Sequence, residues 1–373
     1  MDSNGKTNIL GLTREQLEDF AEAIGESRYR GRQLFEWLYT RRATSFDGMT
    51  NLGKSTRSQL SRSAVIRGIN LVQQSFSRRD GTTKLLFELA DGLKIESVLI
   101  PPATSFRDTG RQQDDEQSRL TLCVSTQVGC PLDCKFCATG TMGFFRNLTT
   151  GEIVDQVLQV KRLTAKSPTN IVFMGMGEPM LNYDNVMNAA GIMATGTGIA
   201  LKRMTVSTAG RPDRIRQMGD ENRRVKLAVS LHSAVDATRS ALMPINRKFP
   251  LDQLLDAIEY YYAKTRRRVT YEYIFFDGVN DTERELKALI KFARRVPCKI
   301  NIIPYHSIAF TGKRTSDLPF TPSPRVEQCV RELRAHHLTA MVRSNAGDDI
   351  DAACGQLAVR LSRQPRPVVH PSS

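Results

Sequence analysis

Nowhere in the 373 residues does an uninterrupted apolar run approach the roughly 20 residues that span a bilayer, which excludes a membrane-spanning helix as an organising element. The first twenty residues, MDSNGKTNILGLTREQLEDF, lack both a basic start and an apolar core, so they do not read as a signal peptide and the expected location is the cytoplasm. Also missing are the extremes of composition that mark collagen-like, coiled-coil or wholly disordered chains. Hydrophobic residues are 40% and charged residues 25%, ordinary for a globular enzyme. At least one cysteine has no partner. The seven, at 123, 130, 134, 137, 298, 329 and 354, are an odd number in a chain expected in a reducing compartment, which argues against a disulfide framework and for metal or redox chemistry. Acidic residues are in deficit, 39 against 53 Lys plus Arg, a net charge of +14. That balance favours a polyanionic partner, since each cation that neutralises a phosphate also releases condensed counterions. General solubility is the blander explanation.

The length exceeds what one hydrophobic core usually supports, so a main domain with a smaller companion is expected. Residues 1–75 read as a small helical RNA-binding domain. Thr13-Arg14-Glu15-Gln16 forms a capping box ahead of Leu17, Phe20, Ala21 and Ile24 at helical spacing. The next segment sets Arg28, Arg30, Arg32, Arg41 and Arg42 beside Tyr29, Phe35, Trp37 and Tyr39. From Arg28 to Arg67, nine basic residues stand against Glu36 and Asp47. Such interleaving suits a phosphate-binding face, although a solvated helix surface over a core of Leu34, Phe35 and Trp37 gives the same pattern. Strand alternation follows over 70–100, in TTKLLFELA and LKIESVLI around the turn Asp91-Gly92, and residues 76–120 read as a β-hairpin extension and linker.

From 121 the pattern repeats. Apolar β-rich runs (LTLCVST, NIVFMGMG, MTVSTAG, VKLAVSLH, VTYEYIFF, CKINIIPY, LTAMVRS) alternate with helical patterns. This predicts an α/β fold, a partial (βα)6-type barrel over 121–357 with its chemistry at the C-terminal strand ends. Residues 358–373 are basic, Pro-rich and expected to be disordered. Cys298 and Cys329 fall in strand and helix patterns and read as buried small hydrophobes.

Cys130-Pro-Leu-Asp-Cys134-Lys-Phe-Cys137 is a C-x3-C-x2-C motif expected at the end of the first barrel strand. Three thiolates so close can hold three irons of a [4Fe–4S] cluster and leave the fourth open to an external ligand. A structural zinc would want a fourth donor, and the nearest downstream histidine is His232. Phe136 would shield the cluster. The motif resembles that of the radical S-adenosylmethionine (SAM) superfamily, in which the open iron binds the amino and carboxylate groups of SAM. Met174-Gly175-Met176-Gly177-Glu178-Pro179 follows the second strand. Its glycines permit close backbone approach, and Glu178 can accept hydrogen bonds from an amine. In such a chain it matches the element that grips the SAM amino group, placing Gly177 and Glu178 there. Ser207 in VSTAG and Ser230-Leu231-His232 in AVSLH end the next two strands as further SAM-binding candidates, with strand capping as their simpler explanation.

Cys123 and Cys354, the latter in Gly347-Asp348-Asp349-Ile350-Asp351-Ala352-Ala353-Cys354-Gly355-Gln356-Leu357, lie outside these motifs. Together with ESVLIP, TLCVSTQVGC, GFFRNLTTGEI and MGMGEPMLN, they give a chain that resembles the RlmN family of radical SAM RNA methyltransferases over nearly its whole length. The resemblance implies methylation of C2 of an adenine in 23S ribosomal RNA, and also in tRNA, with two SAM molecules consumed per turnover. It implies that Cys354 accepts a methyl group, that a radical on that group adds to C2 as a protein–RNA crosslink, and that Glu96 accepts the C2 proton. Cys123 then attacks the Cys354 sulfur and leaves a transient disulfide. It further implies an electron donor such as flavodoxin or ferredoxin. A monomer is expected, because neither domain needs a partner to close.

The chain departs from the family in places. Tyr305-His306-Ser307 stands where the family usually has an asparagine contacting SAM, so His306 is the candidate replacement. Arg343-Ser344-Asn345-Ala346 lacks the basic residue usual just before the final Gly-Asp-Asp, and the acidic stretch 111–118 is unusual. Two alternatives stand. A Cfr-type relative would methylate adenine C8, but Glu178-Pro179 resembles the C2 enzymes, whereas C8 enzymes tend to carry Glu-Ala. A zinc-stabilised RNA-binding module without catalysis explains the charge and three cysteines, but not Cys354 or the glycine-rich turn.

Overall fold

A computed structural model describes residues 5–102, 119–164, 167–312 and 320–359. The polar stretch 111–118 and most of the tail from 358 lie outside the described residues. At the N-terminus, β1 (Thr7–Asn8) leads into α1 (Arg14–Ala23), α2 (Arg28–Phe35), a π-helical continuation Glu36–Thr40, α3 (Lys54–Ser63) and β2 (Ala64–Val65), which pairs parallel with β1. The expected capping box is present. Gln16 N–H donates to Thr13 Oγ1 at 3.3 Å, and Gln16 Oε1 accepts from Thr13 N–H at 2.9 Å. Leu17, Leu34, Phe35, Leu38 and Tyr39 are buried, and Trp37 is partly buried against them. Tyr39 Oη donates to Leu12 O at 2.8 Å and accepts from Gly11 N–H at 2.9 Å. The arginines expected to form a phosphate-binding face are in part already paired. Arg28 reaches Glu18, Asp19 and Glu22, Arg32 reaches Glu18, and Arg41 pairs with Glu36 while lying over the Trp37 ring.

One ten-stranded sheet carries the rest. Three antiparallel strands, β3 (Asn70–Phe76), β4 (Thr83–Glu88) and β5 (Lys94–Ile100), lie at one side, and β5 pairs with β6 (Thr121–Cys123). The added sheet thus begins at 70, inside the stretch assigned by sequence to the helical domain. After β6 come the ribbon β7 (Gln127–Gly129) and β8 (Phe144–Asn147), separated by the short α4 (Ala138–Thr141), and then α5 (Thr150–Leu163). The repeat continues through β9 (Asn170–Phe173), α6 (Tyr183–Gly196), β10 (Met204–Thr208), α7 (Pro212–Glu221) and β11 (Lys226–Ser230). It ends with α8 (Asp236–Leu242), α9 (Leu251–Thr265), β12 (Val269–Tyr273), α10 (Glu283–Ala293), β13 (Cys298–Ile302), α11 (Val326–Ala335) and β14 (Thr339–Val342). Sheet order is β14-β13-β12-β11-β10-β9-β6-β5-β4-β3, and every pair from β6 to β14 is parallel. Six βα units therefore wind into a partial barrel and a seventh strand follows. Strands of this kind are buried on both faces, which is why they read as near-continuous apolar runs. Cys298 and Cys329 are buried, as expected of small hydrophobes. Among the described residues no helix is long and apolar enough to cross a membrane.

One expectation needs correction. LTLCVST does not run as a single barrel strand into the cysteine motif. The ladder stops at Cys123, and Ser125 turns its groups elsewhere, its N–H to Gln156 Oε1 at 2.8 Å and its hydroxyl to Glu96 O at 2.6 Å. Thr126 and Gln127 N–H groups then bond Met176 O. The cysteine motif consequently leaves from the β7–β8 ribbon, one step removed from β6.

Candidate functional site

Cys130, Cys134, Phe136 and Cys137 line a cavity of about 160 Å³ at the C-terminal ends of β9, β10 and β11. Cys130 N–H donates to Gly143 O at 2.9 Å, and Cys137 N–H to Cys134 O at 3.1 Å, so the loop's backbone is spoken for and its sulfurs are left to the cavity. Burial and mutual proximity push the Cys130 and Cys134 thiols well up. Thiols crowded together in this way suit a group that brings positive charge. Among the described residues no three Cys, His, Asp or Glu side chains converge as ligands of one metal ion. A four-iron cluster asks for a different arrangement, one thiolate per iron around a wider space, and Cys130, Cys134 and Cys137 fit it.

Gly177, Glu178, Ser207, Ser230 and His232 line the same cavity. Gly177 has φ +97, and a Cβ there would lie 2.4 Å from Gln127 Cβ, so glycine is required both by its conformation and by packing against β7. Glu178 is buried. Its Oε1 accepts from Met180 N–H at 3.0 Å, its Oε2 from Ala209 N–H at 2.8 Å, and burial raises its carboxyl above the usual range. The Thr208 side chain bonds the carboxylate as well, so three donors hold it and one further acceptor position remains for a ligand amine. His232 has φ +54, and its Nδ1 accepts from Ile274 N–H at 3.1 Å, which places the ring proton on Nε2. Burial holds this histidine down to about 3, so the ring is neutral, and it packs edge-on to Phe136 with centroids 4.6 Å apart. Leu231 does not line the cavity. Its side chain is buried, and its backbone serves instead, N–H to Glu272 O at 3.0 Å and O accepting from Arg239 Nε at 3.1 Å.

A second cavity, about 270 Å³, runs along the barrel interior. Cys123 and Cys354 both line it, and Cys354 with Met174, Glu272, Ile303 and Gly355 also lines the first, so Cys354 stands at the junction of the two. Burial pushes the Cys123 thiol up to about 12, the nearby Cys354 adds to this, and Arg343 opposes it. The segment bearing Cys354 is pinned from several directions. Gly355 O accepts from Ala138 N–H at 2.7 Å, Leu357 O from Thr139 Oγ1 at 2.6 Å, and Asp351 O from Lys84 Nζ at 3.2 Å. Gln356 Oε1 accepts from Ala353 N–H at 3.1 Å and so closes the turn around Cys354. All seven cysteines are free, so the disulfide expected at the end of a cycle is not a feature of this structure.

Two predicted residues lie apart. Glu96 lines a third cavity with Lys84, Asp351, Gln356 and Ala358, on the other side of the Cys354 segment from Cys123. Its carboxyl is raised by burial against the pull of Lys84, whose Nζ is 3.4 Å away. His306 lines the cysteine cavity and not the cluster cavity, and its Nδ1 lies 2.6 Å from Asp348 Oδ1. Sequence reasoning missed Glu272 and Asn301 altogether and noted Arg343 only as part of a departure. Glu272 carried a legible signal, a carboxylate centred in the otherwise β-favouring run VTYEYIFF.

Residues 7–66 match the family described as the ribosomal RNA large subunit methyltransferase N-terminal domain, and residues 124–292 match the radical SAM superfamily. The chain is 44% identical over 359 residues to a probable dual-specificity RNA methyltransferase RlmN of Christiangramia forsetii, covering 95% of this chain and 96% of that one. It is also 44% identical, over 356 residues, to the dual-specificity RNA methyltransferase RlmN of Geobacter sulfurreducens, covering 95% and 92%. Among solved structures, a radical SAM methyltransferase from Sphaerobacter thermophilus superposes with a TM-score of 0.82 at 39% identity, covering 94% of this chain and 99% of that one.

Proposed function

The chain belongs to the RlmN family of radical SAM RNA methyltransferases, and on that premise we propose that it methylates C2 of an adenine in 23S ribosomal RNA and in tRNA, with Cys354 carrying the transferred carbon. The observation that supports this most is the position of Cys354 at the junction of two cavities, one lined by the cluster cysteines and one by Cys123. A sulfur that must first take a carbon and then hand it to a base needs access to both.

Cys130, Cys134 and Cys137 would hold a [4Fe–4S] cluster, and Gly177, Glu178, Ser207, Ser230 and His232, with the Leu231 backbone, would hold SAM. When bound, these groups supply an electrophilic methyl and, on one-electron reduction by a flavodoxin- or ferredoxin-type donor, hydrogen-abstracting chemistry. Glu178 offers an acceptor position to an ammonium, and His232 offers a neutral Nε2–H. The Cys354 sulfur, giving up its proton, forms a bond to the methyl carbon and becomes S-methylcysteine, while the methyl–sulfonium bond of SAM would break and S-adenosylhomocysteine leave. Once a hydrogen atom has been abstracted from that methyl group, its carbon bonds to adenine C2 and crosslinks protein to RNA; the adduct then becomes closed-shell by giving up the C2 proton and one electron, which the oxidised cluster would take back. Glu96, bordering the Cys354 segment from its other face, is the acceptor of the C2 proton, and burial gives this carboxylate the raised basicity the task needs. Cys123 attacks the Cys354 sulfur, the C–S bond to the product breaks, and the carbon leaves as a methyl group with an added proton. Two SAM are consumed for each methyl delivered. His306 serves the Asp348 end of the cysteine cavity. The protein acts as a monomer.

Anaerobic turnover tests the reading. Reconstituted protein, reductant, methyl-labelled SAM and an unmodified 23S rRNA fragment are combined, and nucleosides are read by mass spectrometry. 2-Methyladenosine is expected, and 8-methyladenosine would move the protein to the Cfr type. Cys123→Ala should accumulate a covalent RNA adduct and Cys354→Ala none; absence of adduct in the former would overturn the two roles.

A further inference from the structure

Glu272 is the penultimate residue of β12, at the C-terminal end of the strand, and is 3% exposed. Sheet register sets it beside Ser230 on one neighbour and Asn301 on the other. Its two carboxylate oxygens are treated unequally. Oε1 accepts a hydrogen bond from Asn301 Nδ2 at 3.0 Å. Oε2 is buried and makes no hydrogen bond, its ion-pair partner Arg343 Nη1 lying 3.7 Å away. Buried carboxylate oxygens are normally saturated with donors, so one left bare marks a missing partner. Asn301 and Arg343 both line the cysteine cavity and neither lines the cluster cavity. Glu272 itself borders both cavities, and its two partners draw the carboxylate toward the cysteine cavity, where the base would lie between Cys354 and Cys123.

The other end of that cavity favours a polyanion. Arg119, Lys226 and Lys299 line it at or near the N-terminal strand ends, and burial together with mutual repulsion holds both lysines below their ordinary values. A nucleotide entering there would bring its phosphate to the cations and its base to Glu272. Adenine presents an N6 amine, a donor, beside N1, an acceptor, and C2 is the next ring atom after N1. A carboxylate oxygen beside a guanidinium is the complement of that edge. Guanine would set its O6 against the carboxylate.

We propose that Glu272 and Arg343 read the Watson–Crick edge of the target adenine, Glu272 Oε2 accepting from the N6 amine and Arg343 donating to N1, so that C2 is turned toward Cys354. This rests on the reading of the cysteine cavity as the base site given above. Glu272 is thereby a specificity-determining residue and Arg343 its positioning partner.

The test uses full-length, cluster-reconstituted protein and an RNA fragment carrying adenosine, or purine riboside, at the target position. Purine riboside keeps N1 and the C2 hydrogen but lacks the N6 amine. Wild-type protein should methylate adenosine about tenfold or more faster in single turnover, the effect of one hydrogen bond to a charged group. In Glu272→Gln, Asn301 keeps the amide oxygen on its side, so an N–H donor meets the N6 amine. The preference for adenosine should then fall below about threefold or invert. Equal wild-type rates on the two RNAs would overturn the proposal, as would a Glu272→Gln preference still near tenfold. Methylation of Cys354 by SAM without RNA, read by intact-protein mass, is the control. Its loss in the variant would assign the carboxylate to the SAM side and likewise overturn the proposal. The wild-type comparison stands even if the variant fails to fold. Failure of the wild-type protein to produce 2-methyladenosine at all would be the separate failure of the reading on which this one rests.

Discussion

Arg239 on α8 is fully buried, and its guanidinium ties together the ends of two barrel strands. Nε donates to Leu231 O at 3.1 Å, Nη1 to Asn246 Oδ1 at 2.7 Å, and Nη2 to Ala209 O at 2.6 Å and Ser230 O at 3.1 Å. Replacement by methionine keeps most of the volume and strands three acceptors in a dry interior, Asn246 Oδ1, Ala209 O and Ser230 O, while Leu231 O keeps its bond from Ser233 N–H at 2.7 Å. Each bare acceptor costs about 1–3 kcal/mol unless water reaches it. Partial relaxation makes about 3–5 kcal/mol the reasonable total, the range for a broken buried charged network. At about 2–4 °C per kcal/mol for chains somewhat smaller than this one, the first thermal transition should fall by roughly 10 °C. Far-UV circular dichroism is the right probe, because the single tryptophan, Trp37, sits in the N-terminal domain and reports on the wrong region. Arg239→Lys should recover little, since one ammonium cannot span a fork that serves four acceptors. SAM affinity should weaken in both variants, because Ala209 and Ser230 line the cluster cavity. A stability loss under about 1 kcal/mol for Arg239→Met would refute the account of the guanidinium as the tie between β10 and β11.

Other outcomes follow from the same structure. Burial raises the Glu96 carboxyl, so the folded state holds its proton more tightly than the unfolded state, and stability is lost as pH rises through that raised value. Glu96→Gln should therefore be more stable than wild type in urea at pH 7.5, with the gap closing near pH 4; no change with pH would contradict the direction of the shift. Gly177→Ala forces a Cβ into Gln127 at positive φ and should cost about 2–4 kcal/mol while weakening SAM binding, measurable by chemical denaturation and by titration calorimetry. Asp155 Oδ2 accepts from Ile69 N–H at 2.8 Å and pins the connection between the N-terminal domain and α5. Asp155→Ala should cost about 1–3 kcal/mol and speed proteolytic cleavage near residue 68; unchanged cleavage would show that the connection holds without it.

The strand–helix alternation was legible because parallel strands buried on both faces leave apolar runs that polar and amphipathic helices separate. The capping box at Thr13 and the Cys130–Cys137 motif were legible because their chemistry is local in sequence. Strand character over 70–100 was legible too, but not that the sheet takes in Asn70–Phe76 from the stretch given to the helical domain, since these residues are largely exposed and their pairing with β4 is set across a turn. The early end of β6 was hidden too. Ser125 looks like a strand residue, and only its bonds to Gln156 and Glu96 show that the chain leaves the ladder there. Glu272 in β12, Asn301 in β13 and Arg343 just past the end of β14 meet only through sheet register, so nothing near any one of them announces the other two. The pairing of His306 with Asp348 was hidden as well, because the two residues lie 42 positions apart and meet only in the fold.

Cys354 is mounted on a strap fastened on both sides, at Asp351 to Lys84 of β4 and at Gly355 and Leu357 to Ala138 and Thr139 of α4. Such a mounting permits a swivel but not a long swing, so the sulfur cannot travel out to meet a base that stays in a helix. The nucleotide has to leave its stack and come in. That sets a condition on the RNA rather than on the protein: good targets are those for which unstacking is cheap, bases in loops or beside them, and a perfectly paired duplex holding the same nucleotide should be a poor substrate however well it fits the basic surface.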